Sequence, residues 1–245
     1  MIIAFAGKGG VGKSTIASQV VRRLSGRGSV LAVDADPNSN LSDKLGMEVK
    51  GTIGGLRDET VAYPEKIPAG MSKQQYVSEQ VQRIITEYGN TDLLVMGRPE
   101  GEGCYCFINS SLKECFGRAF PYYDYVVVDN EAGMEHMSRK ILPSADVFLF
   151  VSDPSLTGIR TVARLSDLAE EVGIDVGRKI LIINRAPETV PEKLEEAAKE
   201  ARFHEIMLFP SDGFITDSAL ESEVLDVPED SPFGKSVEEL LNLIL

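Results

Sequence analysis

The sequence predicts an α/β fold, in which helices cover both faces of a mostly parallel sheet of about seven or eight strands. Short apolar runs alternate with segments of helical periodicity along the whole chain, which is the pattern of repeated βαβ units. The runs are apolar at consecutive positions, as expected for strands buried on both faces. No linker or repeat interrupts this alternation over the 245 residues. We therefore predict a single domain that spans residues 1–245.

The individual elements follow from the same patterns. Strands are predicted at residues 2–6, 29–34, 93–96, 125–129, 147–151, 180–184 and 206–209. Helices are predicted at residues 14–25, 73–88, 107–119, 156–172, 191–202 and 235–245, with ends marked by Gly26, Gly28, Gly89 and Gly173. Residues 51–70 and 97–105 follow neither pattern. We predict that they are irregular insertions, the kind of loop that often carries function.

The charge balance excludes some classes of partner. Lys plus Arg number 25 against 38 Asp plus Glu, which gives a formal net charge of -13. Nucleic-acid backbones and anionic membranes bind basic surfaces, so we expect neither as a partner. The chain starts without the pattern of a secretory signal and contains no run of about 18 apolar residues; we expect a cytoplasmic protein. Its three cysteines are too few for a disulfide framework.

A glycine-rich loop follows the first predicted strand and precedes the first predicted helix. Residues 7–15 read GKGGVGKST, which matches the phosphate-loop pattern G-x-x-x-x-G-K-[ST]. Loop amides and the helix N-terminus cradle phosphates, the lysine reaches the β and γ oxygens, and the serine hydroxyl ligates magnesium. The pattern predicts a P-loop NTPase that binds ATP or ADP with Mg²⁺; a plain glycine turn is the alternative. The predicted nucleotide ligands are Gly9, Gly10, Val11, Gly12, Lys13, Ser14 and Thr15.

Acids follow two of the apolar strands. The second strand runs into the sequence VDADPN, which contains Asp34 and Asp36, and the strand at 125–129 ends in Asp129. Ligands of doubly wound folds bind at this carboxyl edge of the sheet. Asp129 fits the pattern of the acid that holds the magnesium ion, usually through water. Acids that merely cap the next helix are the alternative.

Two cysteines stand close together in the loop after the third predicted strand. Cys104 and Cys106 precede the helix predicted at 107–119, whose N-terminus favours thiolates. A C-x-C pair supplies two soft ligands, whereas structural zinc sites usually have four; two subunits related by a two-fold axis would supply four. Softness does not distinguish nickel from zinc. A purely structural role for the pair remains the alternative.

The phosphate loop resembles that of the deviant Walker A group of dimeric ATPases, which includes the nitrogenase iron protein, partition ATPases and metallocentre-insertion ATPases. The resemblance rests on the additional lysine, Lys8, within GKGGVGKST. It implies a homodimer in which Lys8 reaches the partner's phosphates and acts as an arginine finger does in trans. It further implies that Asp36 positions or deprotonates the attacking water and that Asp34 supports the magnesium environment. Asn40 stands where the iron protein pattern has an acid.

The same resemblance implies an adenine pocket. It assigns this pocket to residues that follow the sixth and seventh predicted strands, namely Asn184, Arg185, Pro210 and Asp212. An amide can pair with both a ring nitrogen and the exocyclic amine of adenine. A loop-capping role for Asn184 is the alternative.

Four motifs together resemble the ATPases that mature carbon monoxide dehydrogenase and acetyl-CoA synthase by nickel insertion. They are GKGGVGKST, VDADPN, EGEGCYC and VVVDNEAGMEH, in this order across nearly the whole chain. The resemblance implies an ATP-dependent metallochaperone whose client is one of these apoenzymes. It implies that Cys104 and Cys106 hold nickel, or zinc, at the dimer interface. We expect Cys115 to be a buried helix residue and His136 to have no metal role.

Two other functions remain as alternatives. A partition or positioning ATPase that acts on DNA or membrane predicts a basic surface or tail, but the last predicted helix has no basic residue after Lys235. An electron-transfer ATPase like the iron protein needs two separated cysteines per subunit to share a cluster. No cysteine follows Cys115.

Overall fold

The computed structural model describes residues 1–36, 40–97, 117, 119–131, 142 and 144–245. The strands are β1 Ile2–Gly7, β2 Val30–Ala35, β3 Thr86–Tyr88, β4 Thr91–Val95, β5 Tyr125–Asn130, β6 Ser144–Ser152, β7 Asp175–Ala186 and β8 Glu205–Pro210. The helices with defined bounds are α1 Lys13–Ser25, α2 Asn40–Leu45, α3 Ile53–Ala62, α4 Lys73–Ile84, α5 Leu156–Glu171, α6 Glu192–Glu200, α7 Gly213–Glu221 and α8 Pro232–Ile244.

The strands form one eight-stranded sheet in the order β3-β4-β2-β5-β1-β6-β7-β8. Neighbouring strands are parallel except for the β3–β4 pair at one edge. The predicted α/β class with a mostly parallel sheet is therefore confirmed. Strand β1 lies between β5 and β6, so the loop that follows it opens at the centre of the carboxyl edge.

Helices pack on both faces of this sheet. One apolar layer contains side chains of α3, α4, α5 and α6, and the other contains side chains of α1, α2 and α8. Consecutive residues of β1 divide between the layers, with Ala4 on one side and Phe5 on the other. This two-sided burial explains why the predicted strands read as continuous apolar runs. No helix in the described ranges has the length and apolar character needed to cross a bilayer.

The helix predicted at 73–88 was wrong at its C-terminal end. Helix α4 ends at Ile84, and Thr86–Tyr88 forms β3, which pairs antiparallel with β4 through a two-residue turn at Gly89 and Asn90. Gly89 has a φ of 60° and belongs to this hairpin, not to a helix end. The β-branched run of Ile84, Ile85 and Thr86 favours the extended conformation.

The prediction that residues 51–70 are irregular was also wrong in part. It contains α3, whose first turn is capped by Thr52, with the Gly55 N–H donating to the Thr52 hydroxyl at 3.0 Å. Thr52 also bridges to Val95, so α3 begins beside the carboxyl end of β4. Helices α2 and α7 were not predicted, and α8 begins at Pro232 instead of residue 235. Most of the helix predicted at 107–119 lies outside the described residues.

Candidate nucleotide site

The loop between β1 and α1 has the backbone of an anion cradle. Gly10 and Gly12 have φ values of 77° and 98°, in the left-handed region that favours glycine. A Cβ atom at Gly12 would lie 2.3 Å from the Asn184 amide nitrogen, so only glycine fits there. Gly12 is also the N-cap of α1. The loop amides therefore lead directly into the positive end of that helix.

The two lysines of the loop have different environments. Lys13 is 6% exposed, and its ammonium donates to the Lys8 backbone carbonyl at 3.3 Å. Burial lowers the pKa of Lys13, against the opposing effects of Asp129, Asp36 and Glu131. The Lys8 side chain is exposed. Lys13 is thus placed within its own subunit's site, whereas Lys8 extends from the surface.

Asp34 and Asp129 lie side by side on adjacent parallel strands. Their Cα atoms are partners in the β2–β5 register, and both residues are 0% exposed. Burial, followed by the charge of Asp129, raises the pKa of Asp34 to about 7. Burial raises the pKa of Asp129 to about 6, although the nearby Ser14 hydroxyl and Lys13 oppose this. The pair concentrates negative charge beneath the phosphate loop.

The contacts of these two carboxylates differ. Asp34 accepts hydrogen bonds from the backbone N–H groups of Asp36 at 3.2 Å, Leu41 at 2.9 Å and Ser42 at 3.3 Å. It therefore fastens the start of α2 and the residue that follows β2. Neither oxygen of Asp129 has a hydrogen bond of good geometry. A buried carboxylate without a partner is costly and fits a bound divalent cation.

The predicted ligands of the nickel or zinc site are not part of the described structure. Cys104 and Cys106, with Cys115 and His136, lie outside the described residues. Within the ranges that the structure describes, no group of three or more His, Cys, Asp or Glu side chains is arranged to hold a metal ion. The nickel or zinc site thus stays a prediction from the sequence.

A cavity of about 630 Å³ opens beside the phosphate loop. The four residues predicted for the adenine pocket all line it, together with Gly12 and Thr15 of the loop; they are Asn184, Arg185, Pro210 and Asp212. Residues of α2, among them Asn40, and residues of α7 form further walls that the sequence analysis missed. The α2 wall had a local signal, because the segment SNLSD, with polar residues that favour a helix start, precedes Gly46, which favours a helix end.

Several of these residues also build the pocket. The buried Asn184 amide nitrogen donates to the Val11 carbonyl at 2.8 Å and so ties the end of β7 to the phosphate loop. Arg185 has a φ of 56° at a register shift in the β7–β8 pair, and its side chain is exposed. Asp212 is the N-cap of α7. It accepts from the Phe214 N–H at 3.0 Å and from the Phe233 N–H at 3.2 Å.

A mostly parallel sheet with a glycine loop and buried acids at its carboxyl edge defines a nucleotide-binding protein of the phosphate-loop class. The family model described as the CobQ/CobB/MinD/ParA nucleotide binding domain matches residues 2–239. The chain belongs to this family, whose members include ATPases.

Individual relatives are similar over most of the chain. An uncharacterized ATP-binding protein of Methanocaldococcus jannaschii is 38% identical over 249 residues, which covers 100% of this chain and 98% of that protein. The carbon monoxide dehydrogenase accessory protein CooC of Rhodospirillum rubrum is 31% identical over 196 residues, which covers 71% of each. The crystal structure of a ParA family ATPase from Chlorobium tepidum TLS has a TM-score of 0.70 at 22% identity, and covers 99% of this chain and 98% of that chain. The last likeness shows the fold alone.

Proposed function

We propose that this chain is an ATP-hydrolysing metallochaperone, which dimerises with nucleotide and inserts nickel into carbon monoxide dehydrogenase or acetyl-CoA synthase. The observation that carries the ATPase part is the buried carboxylate of Asp129, which has no hydrogen bond of good geometry and lies close enough to Lys13 to affect its pKa. The nickel part is supported by the C-x-C pair and by the relationship to the dehydrogenase accessory protein.

The phosphate loop supplies the groups that phosphoryl transfer needs. The loop amides and Lys13 bind the β and γ phosphates, and Ser14 and Asp129 hold Mg²⁺, supported by Asp34. When bound, the ion neutralises charge on the phosphate oxygens. Asp36 positions the attacking water or removes its proton. Because Asp34 accepts the Asp36 N–H, the backbone that carries Asp36 is fastened to the same edge of the sheet.

The base pocket favours adenine. The Val11 carbonyl can only accept a hydrogen bond, so its contact with Asn184 uses one N–H of that amide. The amide keeps its carbonyl oxygen and its second N–H. These are the acceptor and the donor that pair with the exocyclic amine and the ring nitrogen of adenine. Guanine presents a carbonyl in place of that amine, so we expect weaker binding of GTP than of ATP.

The cysteine pair connects nucleotide state to metal. Two thiolates per subunit leave a four-ligand shell half complete, so a shared ion draws two subunits together. Lys8 is exposed and can act at the same interface. A nucleotide that reorients the subunits then changes metal affinity, which allows hydrolysis to release the ion to the client apoenzyme.

The test is an anaerobic titration with Ni²⁺ and with Zn²⁺, with and without ATP. Wild type should bind one ion per two chains. Cys104→Ser and Cys106→Ser should lose this ion and client activation, yet retain ATP hydrolysis. Cys115→Ser is the matched control and should behave as wild type. One ion per single chain, or unchanged binding in the Cys104→Ser/Cys106→Ser double variant, would refute the shared site.

The second candidate is a partition or positioning ATPase. Membership in the CobQ/CobB/MinD/ParA family favours it, whereas the net charge of -13 opposes contact with DNA or anionic lipid. ATP-dependent retention on duplex DNA or on anionic vesicles, with no metal bound by the cysteine pair, would establish this alternative.

A further inference from the structure

The base cavity has two outer walls that come from distant parts of the chain. One is α2, which contributes Asn40, Asp43 and Lys44. The other begins with α7 and continues into residues 222–227, here called the strap, whose Leu225 also lines the cavity. The Leu225 N–H donates to the Lys44 carbonyl at 3.0 Å, so the two walls meet directly at that point.

Two side chains of α1 form hydrogen bonds to both walls at this junction. The half-buried Arg22 donates to three backbone carbonyls: Leu225 at 2.9 Å, Lys44 at 3.0 Å and Leu45 at 3.2 Å. The fully buried Gln19 donates to the Leu225 carbonyl at 2.9 Å and accepts from the Val227 N–H at 3.0 Å. We call this arrangement of Gln19 and Arg22 the α1 clasp.

The donors and acceptors of the α1 clasp match the backbone groups that they contact. Lys44 and Leu45 end α2, where carbonyls lack intrahelical partners and carry the negative end of the helix dipole. A guanidinium with several donors satisfies more than one such carbonyl at once. The amide of Gln19 binds the strap as a neighbouring strand would, by donating to one residue and accepting from another.

The start of α2 is bound to the same carboxylate as the backbone of Asp36. The N–H groups of Leu41 and Ser42 bind the Asp34 carboxylate, which also accepts the Asp36 N–H. Helix α2 is therefore fixed to Asp34 at its start and to Arg22 at its end. The strap is therefore connected through the clasp to a helix that shares an anchor with Asp36.

We propose that Arg22 is a positioning residue that, with Gln19, couples occupation of the base cavity to the placement of the Asp36 segment. This inference rests on the proposed ATP hydrolysis. It assigns to Arg22 no contact with the nucleotide. Its consequence is that the adenosine part of ATP contributes to affinity and turnover through the clasp, whereas the phosphates bind without it.

The test compares ATP with inorganic tripolyphosphate, which has the phosphates and lacks the base. We would measure affinity for both ligands with Mg²⁺, and kcat and KM for ATP, in wild type, Arg22→Ala, Arg22→Lys and Arg27→Ala. Arg27 follows α1 and pairs at 2.6 Å with Glu238, a residue of α8 that belongs to neither wall, so it is the matched control. Circular dichroism and Tm without nucleotide report folding.

We expect Arg22→Ala to lower ATP affinity about tenfold, as the loss of a charge-assisted hydrogen bond would, and to lower kcat as well. Tripolyphosphate affinity should stay within about twofold, because the loop amides and Lys13 bind it. Arg22→Lys should recover part of the loss, since an ammonium reaches fewer of the carbonyls. Arg27→Ala should match wild type.

If Arg22→Ala changes both affinities equally, or changes neither, the inference is overturned. The proposed ATP hydrolysis is unaffected by that outcome as long as wild type binds and hydrolyses ATP. Failure of wild type to bind ATP would overturn both. If Arg22→Ala does not fold, Arg22→Lys gives the same comparison, with a smaller but still selective loss for ATP expected.

Discussion

Hydrogen bonding distinguishes Asp34 from Asp129, although the two are equally buried neighbours on adjacent strands. Asp34 is satisfied by backbone N–H groups on the chain that follows it. Asp129 lacks such partners, and its ionised form is held in the fold at a cost in stability. The proposed Mg²⁺ site therefore includes a carboxylate that the protein fold alone does not satisfy.

Asp129→Asn should raise the stability of the ligand-free protein and abolish Mg²⁺-dependent ATP hydrolysis. Removal of an unpaired buried charge is worth about 1–3 kcal/mol, which corresponds to a Tm increase of about 2–4 °C per kcal/mol in a chain of this size. Calorimetry in EDTA without nucleotide measures the effect. Asp167→Asn, at an exposed position of α5, should leave Tm unchanged. A lower Tm for Asp129→Asn would contradict this account.

Substitution of the two loop lysines should have different effects. Lys13→Ala removes a buried ammonium from the phosphate site and should weaken ATP binding by about 2–3 kcal/mol. Lys8→Ala removes an exposed side chain and should spare ATP binding, while weakening nucleotide-dependent dimerisation and turnover. Calorimetric titration and light scattering measure the two effects. Equal loss of affinity in both variants would place Lys8 in its own subunit's site.

At the scale of an element, the start of α1 depends on a backbone conformation. Gly12 occupies the left-handed region as the N-cap of the helix, and the Asn184 amide occupies the space that a side chain would need. This single position joins the phosphate loop, α1 and the end of β7. Its geometry orients the amides of the loop and also supports the base pocket.

Gly12→Ala should therefore reduce nucleotide affinity and destabilise the protein by about 1–3 kcal/mol, because both the backbone conformation and the packing are strained. The control is Gly213→Ala at the start of α7, where an added Cβ meets nothing within 4 Å. That variant should keep wild-type affinity and stability. Urea unfolding and ATP titration test both. A Gly12→Ala protein with normal affinity would contradict the cradle.

For the whole molecule, the decisive question is whether two chains close on ATP. The proposed trans role of the exposed Lys8 and the proposed two-fold metal site both need a partner chain. If Asp36 acts on the attacking water, its loss should slow hydrolysis by about 10²–10⁴-fold and leave the phosphate loop able to bind ATP.

Asp36→Ala should consequently accumulate as an ATP-bound dimer. Size-exclusion chromatography with light scattering, in ATP and Mg²⁺, should give twice the mass that it gives in ADP. Asp167→Ala, at an exposed position of α5, is the control and should turn over ATP without being trapped. A monomeric Asp36→Ala protein in ATP would rule out trapping.

Local sequence patterns predict the sheet, the phosphate loop and the acids beside it. Strands buried on both faces must be apolar at successive positions, and a phosphate cradle requires glycine at fixed spacing before a helix. These are constraints between near neighbours. Residues 7–15 and 125–129 therefore predicted their structures correctly, whereas β3 was missed because its antiparallel pairing with β4 competes with a helical pattern.

The hydrogen bonds that support the site depend, by contrast, on tertiary packing. Arg22 and Leu225 are 203 positions apart, and no local pattern indicates that the two residues meet at the C-terminal end of α2. The different hydrogen bonding of Asp34 and Asp129, two acids with similar sequence contexts, likewise depends on where α2 packs. Hydrogen bonds between distant segments form only after the apolar layers have brought those segments together, so their partners are set by packing and not by spacing.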